Sequence, residues 1–238
     1  ASASISETTG TAAVNADAMG DGNTLTVSGA GNFTITNLMA DLASSSTGTV
    51  LATLDDNNGS GVNATITNTA SSGTLTVNSG TFDANDTIVL AGSSAISVAA
   101  TDSVNITTGT ASASISETTG TAAVNADAMG DGNTLTVSGA GNFTITNLTA
   151  DLTSTAIGAV AVTLDDNNSS AINTTITNNA TAGTLTVNSG TFDSDDTIVL
   201  AGSRLISVAA TDSVNITTGA TSVSISETTG KTAIVDAQ

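Results

Sequence analysis

The chain has 238 residues, with 21 Asp plus Glu against 2 Lys plus Arg, and a formal charge of −19 at pH 7. It contains no His, Cys, Pro, Trp or Tyr and only 4 Phe. These absences exclude thiolate and imidazole catalysis, the usual N/S zinc sites, haem ligation and disulfides, and two basic residues cannot neutralise a row of phosphates, so nucleic acid is not an expected partner.

Of the residues, 39% are hydrophobic and 10% are charged. Disordered acidic chains are poor in β-branched residues and richer in charge, so this composition reads as ordered and β-rich. With so few aromatics, the core must be thin and filled by small aliphatic side chains.

Taken in chain order, short alternating runs recur at Ala3–Ser6, Ala12–Ala16, Thr24–Val27, Phe33–Thr36, Val50–Leu54, Ala64–Thr67, Thr74–Val77, Thr87–Leu90, Ile96–Val98 and Val104–Thr107. Clusters of Gly, Asn, Asp and Ser punctuate them as turns. Within each run the aliphatics and threonines alternate, as in Thr24-Leu25-Thr26-Val27. That pattern predicts one buried face and one Thr-lined face. Asn37–Ala43 is the single candidate for a helix.

The string that opens at Ala1 returns at Ala111 without a gap, a period of about 110 residues. The expected organisation is repeat 1 over 1–110, repeat 2 over 111–220, and a partial, diverged repeat 3 over 221–238 that serves as an inter-subunit pairing segment. The chain has no initiator Met and reads as a mature or excised piece of something longer.

Even strand spacing suits an all-β fold, either a parallel β-solenoid (β-helix) or a tandem of immunoglobulin-like β-sandwich modules. The solenoid is favoured because Pro is absent, aromatics are scarce, and GTASASISETTG crosses the repeat boundary as one more strand and turn. Three strands to a coil would give about four coils per repeat, and a rise of about 20 Å at the usual strand spacing.

The acids fall in the turns. Candidate Ca²⁺ ligands in the first copy are Asp17, Asp21 and Asn23 in DAMGDGN, Asp55 and Asp56 in LDDNN, and Asp83, Asn85 and Asp86 in FDAND. Their counterparts are Asp127, Asp131, Asn133, Asp165, Asp166, Asp193, Asp195 and Asp196. Ca²⁺ takes six to eight oxygens from loops of this kind, and a chain this acidic repels itself unless ions compensate. None of the runs matches an EF-hand or the glycine-rich calcium nonapeptide. The Asn-x-Ser/Thr triplets, among them Asn32, Asn63 and Asn105, are expected by chance in such a composition. Paired Asp on a β-helix also suits sugar hydrolysis, but Arg204 is the only basic group near such a pair and the first copy has Ser94 in its place. The chain is therefore expected not to be an enzyme.

The strings GNTLTVSGAGNFTITNLTADL and GTLTVNSGTFDSDDTIVLAG resemble the repeats of giant bacterial cell-surface proteins of the adhesin, surface-layer and extracellular-filament type. That resemblance implies secretion, Ca²⁺ dependence and a structural or adhesive role at the cell surface. It lacks the GGxGxD run of the toxin-type calcium repeats. The expected function is a self-associating, head-to-tail extracellular filament or surface matrix. The alternatives are a rigid stalk of a calcium-binding adhesin and an ice-binding solenoid with Thr arrays. Partners are expected to be further copies of the chain, with a cell-surface glycan or another surface protein beyond them. No signal peptide or membrane span is visible in the segment.

Overall fold

The computed structural model describes residues 1–57, 59, 61–167, 171–219, 222–228 and 232–237. The chain divides into two units, Ala1–Ala122 and Ala123–Gln238. In the first, the strands are β1 (Ala3–Ser6), β2 (Thr11–Asn15), β3 (Thr24–Ser28), β4 (Asn32–Leu38), β5 (Asp41–Ser44), β6 (Thr49–Leu54), β7 (Asn63–Asn68), β8 (Thr74–Asn78), β9 (Thr87–Gly92), β10 (Ile96–Ala100), β11 (Val104–Thr107) and β12 (Ala113–Glu117). β13 (Thr121–Asn125) crosses the division. The second unit continues with β14 (Thr134–Gly139), β15 (Asn142–Leu148), β16 (Asp151–Ser154), β17 (Val160–Leu164), β18 (Asn173–Asn178), β19 (Leu185–Asn188), β20 (Thr197–Gly202), β21 (Ile206–Ala210), β22 (Val214–Thr218), β23 (Val223–Glu227) and β24 (Ala233–Ala237).

Each unit is a parallel β-solenoid. In the first, β1-β3-β5-β7-β9-β11 form one sheet and β2-β4-β6-β8-β10-β12 the other; in the second, the same alternation runs from β13 to β23 and from β14 to β24. Every described pairing is parallel, for example β4 with β6 and β18 with β20, which an antiparallel sandwich of the immunoglobulin type does not contain. There are two strands to a coil, not the three expected from the sequence. Coil length follows the turns: Phe33 lies beside Val50 across a short coil, while Thr49 lies beside Thr74 across a longer one.

The alternation read from the sequence sets the interior. β4 runs with Phe33, Ile35 and Leu38 inward, and β7 with Ala64 and Ile66 inward. Parallel register then stacks like on like. One column in the first unit runs Val14, Ile35, Ala52, Val77, Val98 and Ile115 through successive coils. Another in the second unit runs Ile145, Val162, Val187, Val208 and Ile225. All four phenylalanines, Phe33, Phe82, Phe143 and Phe192, are fully buried. Burying an aliphatic or phenylalanine side chain is worth about 1.5–3 kcal/mol, so small residues suffice when every coil contributes several.

The Asn37–Ala43 segment is not helical. It holds the end of β4, a bend and the start of β5, a strand that the sequence reading missed. Asn37 has φ 55 and sits where the register between β4 and β6 shifts. Asn tolerates this left-handed conformation, which inserts an extra residue as a bulge. Asn147 does the same in β15, with φ 57.

Counting β5, the described residues of 1–110 supply eleven strands, β1 to β11, or five and a half coils. The same string therefore changes sheets. ASIS at Ala3–Ser6 pairs with β3, whereas ASISE at Ala113–Glu117 pairs with β10 in the opposite sheet of the first unit.

Candidate functional site

The acids and amides of the turns collect at the corners of the coils, where adjacent corners stack about 4.8 Å apart. At that spacing a short side chain reaches the backbone of the next coil. Asp41 Oδ1 accepts from the Thr65 amide at 2.8 Å, and Asp151 Oδ1 from the Thr175 amide at 2.7 Å. Amide side chains do the same in the other sense. Asn105 Nδ2 donates to the Ala84 and Asp86 carbonyls, and Asn37 Nδ2 to Asn15 Oδ1.

The FDAND and FDSDD corners are the most enclosed. Asp86 is fully buried. Its Oδ1 accepts from the Val62 amide at 2.9 Å, in the coil below, and its Oδ2 from the Asp83 amide at 3.0 Å. Asp196 repeats both bonds, to Ile172 at 2.9 Å and Asp193 at 3.0 Å. Each carboxylate thus satisfies two backbone donors that would otherwise cost about 1–3 kcal/mol each to leave unpaired. Asp83 Oδ1 accepts from the Asn85 amide at 2.7 Å and Asp193 Oδ1 from the Asp195 amide at 2.9 Å, closing each turn on itself. Asp196 is as fully buried as Asp86.

At LDDNN the structure brings two carboxylates to one hydroxyl. Thr81 Oγ1 lies 3.0 Å from Asp55 Oδ1 and 2.6 Å from Asp56 Oδ1, and accepts from the Asp56 amide at 2.9 Å. Thr191 stands in the same relation to Asp165 and Asp166, at 2.9 and 2.7 Å. The threonine comes from the next coil, so nothing in the local sequence marks it. The DAMGDGN corners are more open. The Asp17 amide donates to Asn15 Oδ1, the Gly22 amide to Asp21 Oδ1, and Asn23 Nδ2 to the Gly20 carbonyl. In the second copy Asn125 and Asn133 repeat two of these contacts, with Asp127 and Asp131 exposed. Among the described residues, no three or more His, Cys, Asp or Glu side chains gather as a set that could hold a metal ion.

Glu7 and Glu117 were not among the expected site residues, yet both organise corners. Glu7 Oε1 accepts from the amides of Thr8, Thr9 and Gly10 at 2.9–3.1 Å. The Thr9 and Gly10 amides hold its carboxyl below the usual glutamate value. Glu117 Oε1 accepts from Thr119 and Gly120, and its Oε2 is buried with no hydrogen-bond partner.

Among the described residues, no helix is long and apolar enough to cross a membrane. No family model, curated protein or solved structure matches the chain.

Proposed function

We propose that this chain is a non-enzymatic structural protein, built from tandem sequence repeats, that self-associates head to tail into an extracellular filament or surface matrix. The observation that carries this reading is the column geometry of the coils. In columns such as Val14-Ile35-Ala52-Val77-Val98-Ile115, each coil offers its neighbours the same strand edge and the same small aliphatic row. A coil rim of one copy is chemically suited to a coil rim of another, because parallel edges are ready partners for further strands. The extracellular setting rests on the resemblance of the strings quoted above. The charge of −19 supports divalent cations as counter-ions along the acidic corners.

Electron microscopy and light scattering of the purified chain, in millimolar Ca²⁺ and again in EDTA, test the reading. Concentration-dependent filaments are the expected result, and a loss of filaments in EDTA would assign the counter-ion role to Ca²⁺. Unpolymerised particles at every concentration in both buffers would overturn self-association and favour a stalk.

A further inference from the structure

Residues Ile96–Gly109 and Ile206–Gly219 have identical sequences, ISVAATDSVNITTG. Both serve as a platform for a following coil, but the two covers differ. On the first platform lies ASASISETTGTA, and β12 pairs with β10 from Ile96 beside Ala113 to Ala100 beside Glu117. The Thr119 hydroxyl donates to the Thr101 carbonyl at 2.6 Å, and the Thr121 amide to Ser103 Oγ at 3.1 Å. Ala113, Ile115 and Ala122 are buried.

On the second platform lies the tail. β23 keeps the register, with Ile206 beside Val223. β24 arrives one position late. The Thr232 amide donates to Ser213 Oγ at 3.2 Å across a separation of 19 positions, where Thr121 reaches the matching Ser103 across 18. In sequence the tail has one residue more before its last strand, Lys231 following the ETTG that both covers share. Its last strand reads TAIV where the first cover reads TAAV, so an isoleucine stands at an outward position that alanine fills in the other copy. Ile234 is 61% exposed there and Val235 48% exposed.

A better-matched cover is present in the same molecule. Ala1–Asn15 has the same residues as Ala111–Asn125, and its strands β1 and β2 each have one strand neighbour, β3 and β4. We propose that the Ala1–Asn15 coil of a second copy replaces the tail coil on the Ile206–Gly219 platform, joining copies by strand exchange. The exchange substitutes a connecting sequence one residue shorter and removes the outward isoleucine. It also places the Glu7–Gly10 corner against Thr211–Ser213, as Glu117–Gly120 lies against Thr101–Ser103. This junction rests on the self-association reading above.

Gly10 supplies the test. In the isolated chain a Cβ at Gly10 would meet only the Glu7 carboxylate, at 3.7–3.9 Å, whereas a Cβ at Gly120 would run into the Ser103 amide. Gly10→Ala should therefore leave folding unchanged and block the junction. Sedimentation velocity on the full chain, with circular-dichroism melts as the folding control, reads both. Expected are polymers from the unmodified chain and monomers from Gly10→Ala at the same concentration, with superimposable melts. Ile225→Asp, which unseats the tail from Val208, should lower the assembly concentration about tenfold by vacating the platform. Assembly from Ile225→Asp alone, with the unmodified chain monomeric, would also support exchange, the tail then being the stronger competitor. Polymers from Gly10→Ala equal to those of the unmodified chain would overturn the junction and leave self-association standing. Monomers from both the unmodified chain and Ile225→Asp would overturn both.

Discussion

The corner Glu7–Gly10 and the corner Glu117–Gly120 share the residues ETTG but not their surroundings. Glu7 is half-buried, and Gly29 and Gly31 pack on one side of it, their missing side chains making room for its backbone and its Cγ. Glu117 has the Ala100–Ser103 segment beneath it, bound through Thr118 and Thr119, and is fully buried. The comparison teaches that in a solenoid the neighbouring coil, more than the local sequence, decides whether a polar side chain is solvated. A carboxylate that closes a turn harmlessly in water becomes a buried acceptor with an unpartnered oxygen once coils stack on it.

The largest effect should come from corners where both copies have equivalent neighbours, which sharpens the comparison by removing the difference. Asp86→Ala and Asp196→Ala each strand two backbone amides, so each should destabilise its coil by about 2–4 kcal/mol. Hydrogen exchange at Val62 and Ile172 should rise together; protection lost at one and kept at the other would break the equivalence.

Glu117→Ala comes next. It removes the acceptor for the Thr119 and Gly120 amides and opens space in a packed corner, an expected loss of about 1–3 kcal/mol. Glu7→Ala should alter exchange only at Thr8, Thr9 and Gly10. Equal effects on the denaturation midpoint would show that burial does not separate the two corners. Gly120→Ala forces a Cβ against the Ser103 amide and should cost about 1–3 kcal/mol, while Gly10→Ala leaves the midpoint where it was. A midpoint shared by the two variants would contradict the close approach at Ser103.

The smallest effect concerns pH. Because the folded Glu7 carboxyl titrates below its ordinary value, its contribution is fully present above the unfolded value. It is lost as pH falls through the lower folded one. Amide exchange at Thr8–Gly10, corrected for the intrinsic rate, should stay protected through the ordinary glutamate range and loosen only below it. Loosening within that range would contradict the three amide bonds.

Much of the fold is legible in the sequence because period-2 alternation survives in nearly every strand. Leu25, Val27, Ile35 and Ile66 point inward as their alternation with threonine requires. The missed strand β5 is short and begins with Asp41, whose carboxylate faces the Thr65 amide of the next coil and not the aliphatic interior. Its approach passes through the left-handed Asn37, which breaks the alternation that would have announced it. The number of strands per coil was not legible either. Turn length changes from coil to coil, as the pairings Phe33 with Val50 and Thr49 with Thr74 illustrate, and leaves no fixed spacing to read. The roles of the acids were half legible. Asp and Asn do sit in turns, but whether Asp86 faces solvent or the Val62 amide depends on which residue lies one coil below, 24 positions away.

The odd count of eleven strands, β1 to β11, among the described residues before the string returns has a consequence of parity. Adding one such unit to a two-stranded coil shifts every later residue by half a turn, and adding two restores the original side. The change of sheet between Ala3–Ser6 and Ala113–Glu117 is the first step of that alternation. A given position of the string thus lies in one sheet at its first occurrence and in the other at its second. Ile5 accordingly lies beside Val27 in one sheet, and its counterpart Ile115 beside Val98 in the other.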